Sequence, residues 1–286
     1  MARGLSRRAV VAALPLTAVA FSPPGAARAA APGLSLSGKF VQGGYAIGHT
    51  APRAVIDVDG PARTTASANG WFVIGFDRDA PPTSTLTVTT PDGSAEDRRT
   101  IAPGDFDIQR IDGLPPEQVT PTDPALLARL EAEGLRKQAG FASQADLEGF
   151  REGFVPPVLG ARRSARFGGQ RILNGEPKRP HYGVDLAVPV GTPVRAPASG
   201  LICFAETGLH YEGGLVLIDH GQGLVTAYLH LSKILVSPGT YVRQGQLMAE
   251  SGKEGRATGP HVCWRMKWRG RNLDPSLLVG EGPFRA

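Results

Sequence analysis

Apolar and polar residues alternate along most of this chain, and glycines or tight-turn dipeptides interrupt the alternation at short intervals. Ala54 to Val58, Trp71 to Phe76 and Ser84 to Val88 are rich in β-branched and aromatic residues. Asp59-Gly60, Asn69-Gly70 and Asp92-Gly93 separate them, and such pairs suit tight β-turns. The pattern predicts a small β-sandwich-like accessory domain over residues 30–113. Residues 114–160 change character. Pro115, Pro116, Pro121 and Pro124 punctuate the start, and Thr122 or Asp123 can cap a helix that places Leu126, Leu127 and Leu130 on one side. Ser143-Gln-Ala-Asp146 resembles a capping box opening a second helix with Leu147, Phe150 and Phe154. The expectation is a connector of two short helices docking the two halves.

Residues 161–286 return to period-two alternation. Gly200 to Phe204, Gly214 to Asp219, Val225 to Leu231, Tyr241 to Gly245 and His261 to Trp268 are strand candidates, with glycines at nearly every boundary. The fold class expected is therefore mostly β: the accessory domain, the helical connector and a C-terminal antiparallel β domain. The 37 Gly and 25 Pro among 286 residues agree with many turns and short strands.

The N-terminus and the charge change the picture. Arg3, Arg7 and Arg8 precede an apolar run from Ala9 to Phe21, and Ala27-Arg-Ala29 offers small residues for cleavage. This predicts a signal peptide over residues 1–29 and a secreted or periplasmic protein of the bacterial envelope, with no stable membrane span once the signal is removed. Without that segment the formal net charge falls from +5 to about +1, shared unevenly: residues 30–159 carry −6 and residues 160–286 carry +7. A basic half can signal nucleic acid, but an exported chain rarely meets it, so an anionic extracellular polymer is the expected partner. His49 stands alone and reads as a surface or satisfied residue. Cys203 and Cys263 are the two cysteines, and in an oxidising compartment their pairing is left open.

Three polar clusters interrupt the C-terminal apolar pattern. His181 and Asp185 share one face of a predicted strand, with Gly183 between them. In Tyr228-Leu-His-Leu-Ser232, the residues Tyr228, His230 and Ser232 are expected on one face and Leu229 and Leu231 on the other. His261 and Cys263 share a face that Arg265 and Lys267 continue, while Val262, Trp264, Met266 and Trp268 take the opposite one. Imidazole, carboxylate and thiol are the usual donors to zinc, and catalytic zinc takes three of them.

Over residues 166–279 the chain resembles the lysostaphin-type (LytM-like) murein metalloendopeptidases. The matching landmarks are Arg166-Phe-Gly168, His181-x-x-x-Asp185, Gly200-Leu-Ile, Tyr228-Leu-His230, Val242-Arg-Gln-Gly-Gln246 and Ala257-Thr-Gly-Pro-His261. The resemblance implies the lysostaphin-type peptidase fold and one zinc ion per chain. It implies His181 and Asp185 as zinc ligands and His230 and His261 as catalytic histidines. It also implies peptidoglycan stem peptides or cross-bridges as substrate, with a divisome or hydrolase partner unspecified. The chain departs from the family where the third ligand, a histidine, is replaced by Cys263. Three consequences stand open: a His-Asp-Cys zinc site; a spoiled ligand set that binds cell wall or activates another hydrolase without cutting; or a disulfide from Cys263 to Cys203. The cations following Cys263 suit the free carboxylates of murein stems.

Overall fold

A computed structural model describes Met1 and residues 33–280; residues 2–32 and 281–286, and with them most of the expected export signal, lie outside the described residues. The N-terminal half holds β1 (Ser35–Gly38), β2 (Tyr45–His49), β3 (Val55–Val58), β4 (Ala62–Thr65), β5 (Trp71–Gly75), β6 (Thr83–Thr90) and β7 (Gly93–Thr100). They form a three-stranded sheet ordered β1-β2-β5 and a four-stranded sheet ordered β4-β3-β6-β7. Alternation has its expected effect: Ile56 and Val58 of β3 and Leu86 and Val88 of β6 are buried against Ala46, Phe72 and Ile74 of the other sheet. Asp59 and Gly60 adopt φ of 54° and 88° between β3 and β4, the left-handed pair a two-residue hairpin requires.

The next strand behaves differently from its neighbours. β8 (Ile108–Ile111), inside the segment assigned to the accessory domain, pairs in parallel with β10 (Gln170–Leu173) of the C-terminal half. A short helix α1 (Pro116–Val119) follows, then the long helix α2 (Pro124–Phe141). Asp123 caps α2, its carboxylate accepting from the Ala125 amide at 3.1 Å. The second expected helix is absent. Ser143 Oγ donates instead to Asp219 Oδ2 at 2.7 Å, and the Ala145 amide donates to the same oxygen, leaving only a 3₁₀ turn at Gly149–Arg151. A distant carboxylate has taken the partners that a capping box would use within its own turn.

The C-terminal half comprises β9 (Arg162–Ala165), β10, β11 (Glu176–Pro177), β12 (Val184–Ala187), β13 (Pro193–Arg195), β14 (Gly200–Leu209), β15 (Gly213–Asp219), β16 (Leu224–Ile234), β17 (Tyr241–Val242), β18 (Leu247–Ser251), β19 (His261–Trp268), β20 (Arg271–Leu273) and a last turn of helix, α3 (Ser276–Val279). The main sheet runs β17-β14-β15-β16-β19-β12-β9. Val216, Ile218, Tyr228 and Trp264 pack on one face of it. Leu215, Leu217, Ala227, Leu229 and Cys263 pack on the other, under Phe141 of α2. Both faces are therefore covered, which is why β15 is buried at every position.

The two halves share a core. Met266 and Trp268 of β19 and Leu273 of β20 are fully buried among the apolar residues of the N-terminal sheets. Arg271 reinforces the joint, donating to the carbonyls of Gly75 and Val58 and pairing with Asp59 at 3.1 Å.

Candidate metal centre

Three short stretches far apart in sequence meet because β19 lies between β12 and β16. In the β12–β19 register Asp185 stands opposite Cys263, and in the β16–β19 register Cys263 stands opposite Leu229. Directly opposed residues project to the same face, so Asp185 and Cys263 are neighbours by construction. His181 precedes the first residue of β12 and is not itself in a strand. It still reaches the pair. Its Nε2 lies 3.1 Å from Asp185 Oδ1 and 3.4 Å from Cys263 Sγ. Gly183 makes that approach possible: a Cβ there would sit 2.9 Å from Cys263 Sγ and 2.8 Å from Arg265 Cγ.

One nitrogen, one carboxylate oxygen and one sulfur thus lie within 4.8 Å of one another. Tetrahedral zinc at its usual bond lengths holds donors about 3–4 Å apart, so the separations fit. Asp185 Oδ1 is also buried with no hydrogen-bond partner, an orphaned acceptor facing the other two donors. The donor set has the chemistry and spacing for zinc.

The two histidines of the other clusters flank these donors. His230 Nδ1 donates to the Glu254 carbonyl at 2.7 Å and His261 Nδ1 to the Gly259 carbonyl at 2.8 Å. Both rings therefore turn Nε2 away from those carbonyls, and that of His261 lies 3.7 Å from Asp185 Oδ1. The ring centroids are 4.5 Å apart. His230 arrives by a route the alternation does not predict. Its φ is 66°, and the β15–β16 register shifts beside it. This bulge puts Tyr228 in the core with Trp264, and Leu229 on the face of Cys263, the reverse of the expected arrangement.

Electrostatics set the protonation states. Burial works to raise the Asp185 carboxyl, but His181, His261 and Arg171 outweigh it and hold it well below the usual carboxylate range. Burial pushes His230 down to about 3, helped by His261 and Arg265, so its ring is neutral. Burial pushes the Cys263 thiol up to about 12, opposed by Arg265. That guanidinium donates through Nε to Cys263 Sγ at 3.4 Å. Arg171 Nη2 lies 3.8 Å from Asp185 Oδ2.

Sequence reasoning missed Arg171 and Arg256. Arg256 caps the near rim, its guanidinium 4.5 Å from the Tyr211 ring and bonded to the Gln118 carbonyl at 2.7 Å. Neither lies on a strand face with the ligands, so no periodicity marks them. Ile111 and Leu114 roof the small cavity of 140 Å³ into which the cluster opens. Asn174 pins that roof through the Leu114 amide and carbonyl.

The cysteines are both free. Cys203 lies on β14 and Cys263 on β19, with β15 and β16 between them. Three strand spacings are about 14 Å, far beyond disulfide reach. The disulfide alternative therefore does not hold in this fold. His49 sits on the rim of the N-terminal sheet, its Nε2 3.1 Å from the Asn69 carbonyl and its ring edge-on to Trp71.

An antiparallel β domain thus gathers histidine, aspartate and cysteine donors, the side-chain types that zinc takes, beside a histidine pair. Comparison with known proteins gives a match of residues 179–275 to the model of peptidase family M23. The peptidoglycan DD-endopeptidase ShyA of Vibrio cholerae is 44% identical over 95 residues, covering 33% of this chain and 22% of that protein. The DD-carboxypeptidase/endopeptidase Mpg of Neisseria meningitidis is 37% identical over 129 residues, 45% of this chain and 30% of that one. The chain thus spans between a fifth and a third of these relatives. A crystal structure from Pseudomonas aeruginosa, described as a peptidase M23, superposes with a TM-score of 0.64 at 27% identity, over 85% of this chain and 96% of that one. The 85% covered exceeds the C-terminal half, so the superposition takes in part of the N-terminal half as well.

Proposed function

We propose that this chain is a zinc metalloendopeptidase of the bacterial envelope, exported by its N-terminal segment, that hydrolyses peptide cross-bridges of peptidoglycan. The observation that carries the reading is the convergence of His181, Asp185 and Cys263 donor atoms within 4.8 Å, beside His230 and His261. The names of the relatives, DD-endopeptidases acting on peptidoglycan, agree with it.

His181, Asp185 and Cys263 hold the metal. When bound, zinc supplies Lewis-acid polarisation of an amide carbonyl and a more acidic water. The protein's own groups do the rest. His230 is neutral, and its Nδ1–H is committed to the Glu254 carbonyl, so Nε2 is free to take a proton from an attacking water. His261, its Nδ1–H held by the Gly259 carbonyl, presents Nε2 to the same space, and with a proton on Nε2 as well it can steady developing negative charge on the carbonyl oxygen. Ile111 and Leu114 give the small cavity beside the cluster an apolar edge.

A second reading is favoured by one observation. The Arg265 guanidinium already bonds Cys263 Sγ, and a ligand set so occupied could bind murein without cutting it. Zinc stoichiometry and release of soluble murein fragments by the purified protein separate the two. One zinc per chain with fragment release supports the peptidase; no zinc with retained murein binding supports the binding domain.

A further inference from the structure

A cavity of 1060 Å³ lies between the C-terminal end of α2 and the outer half of β19. It meets the small metal-ligand cavity along Arg171, Arg256 and Arg265, which line both. Its wall is strongly basic. Arg179, Arg256, Arg265, Lys267 and Arg269 face it, and none forms an ion pair with a carboxylate among the described residues. The one carboxylate in the wall, Glu212, is already held by Lys137 at 2.8 Å. Two guanidinium nitrogens of the wall, Arg171 Nε and Arg269 Nε, are buried with no hydrogen-bond partner.

Gathering cations this way costs free energy. Burial and then the neighbouring charge of Arg265 push Lys267 below its usual range. Arg256 is lowered by burial and then by Arg171 and Arg265. A buried donor without a partner costs further. An anionic occupant would relieve both penalties, because guanidinium–carboxylate contacts are among the stronger hydrogen bonds available. Strand geometry explains the location: Cys263, Arg265 and Lys267 alternate along one face of β19, so the row of cations starts at the metal ligand and leads away from it.

We propose that this cavity is a carboxylate-binding subsite that holds the free carboxylates of the peptide whose amide bond is presented at the metal centre. The substrate class is then a peptide stem bearing acidic groups, in contrast to an uncharged glycine bridge. Arg265, Lys267 and Arg269 are its specificity-determining residues. The inference rests on the peptidase reading for what happens at the amide, but binding in the cavity can be measured without it.

The test is titration calorimetry on the metal-stripped full chain. The probes are the pentapeptide L-Ala-γ-D-Glu-L-Lys-D-Ala-D-Ala, with two free carboxylates, and its bis-carboxamide. The acid should bind at least about tenfold more tightly than the amide, the scale of one charge-assisted contact. Its affinity should fall with added salt. Lys267→Gln and Arg269→Gln, checked for unchanged melting, should each raise Kd for the acid and leave the amide unaffected. Equal binding of acid and amide, or salt-independent binding of the acid by the wild-type chain, overturns the subsite whatever the variants do. Tighter binding of a glycerol-phosphate polymer than of the acid also overturns it, by assigning the cavity to phosphate. Acid-selective binding in a protein that releases no murein fragments upholds the subsite and removes the peptidase reading. Fragment release without acid selectivity does the reverse.

Discussion

The guanidinium of Arg265 lies two residues beyond Cys263 on the same face of β19 and donates through Nε to its sulfur at 3.4 Å. The pair alters the charge balance of the site. A thiolate in place of a neutral imidazole adds a negative charge to a zinc cluster and should make its water less acidic. Arg265 supplies a compensating positive charge at the sulfur itself. In the proposed zinc site Cys263 is thus accompanied, in the same strand, by a cation that offsets the charge of its sulfur.

Cys263→Ala should reduce bound zinc from one equivalent to a small fraction at equal protein and metal concentration. Cys263→His should retain it, because an imidazole can serve at the same strand position. Metal analysis after gel filtration reads both. Full zinc in Cys263→Ala would remove the sulfur from the ligand set.

His230→Ala should bind zinc normally but lose about 10²–10⁴-fold in the rate of murein hydrolysis, the usual contribution of a general base. Its ring approaches the donors without being one of the three. Loss of zinc along with activity would make it a ligand instead.

Gly183→Ala should destabilise the fold by about 1–3 kcal/mol, the scale of overpacking. The new Cβ would sit 2.8 Å from Arg265 Cγ, 2.9 Å from Cys263 Sγ and 3.0 Å from the Trp264 carbonyl oxygen. Backbone cannot yield as a side-chain tip can, so the ligand geometry should suffer too. Denaturant midpoints and zinc affinity, measured on one sample, test both effects.

Acid should weaken the fold through His220. This ring is fully buried between the Ser199 carbonyl at 3.0 Å and Thr226 Oγ1 at 2.7 Å, and burial pushes it down to about 4. A histidine depressed in the folded state takes up its proton on unfolding. Its neutral form contributes fully above the unfolded value of about 6.5, and the contribution is lost as pH falls from there towards 4. The loss between pH 7 and 4.5 should be on the order of 2–3 kcal/mol. Urea midpoints for the wild type and His220→Gln check it: the variant should show a shallower decline with acid.

What could be read from the chain follows from how local each determinant is. The face shared by His261, Cys263, Arg265 and Lys267 was legible because β19 keeps strict period-two geometry, and the structure places Val262, Trp264, Met266 and Trp268 opposite as expected. His181 and Asp185 were legible as a pair because only Gly183 and two neighbours separate them. The side of His230 was not, because one residue at positive φ reverses the alternation, and nothing in Tyr-Leu-His-Leu announces a bulge. The start of α2 was visible in Asp123 and Pro124. The missing second helix was not, because the group that captures Ser143 lies 76 residues later in the chain. Arg171 and Arg256 carry no periodic signal, since tertiary packing alone brings them to the ligands.

The buried end of β19 bears on how this protein comes into being. Five residues beyond Cys263, the same strand ends in Trp268, whose indole completes the core of the N-terminal sheets. The strand that carries His261 and Cys263 is thus seated in a socket made by the part of the chain synthesised first. The early sheets offer an unfilled hole until the last strands arrive, and β19 has no finished anchorage without them. A C-terminal half cut free at the connector would leave Trp268 exposed where the N-terminal sheets had covered it.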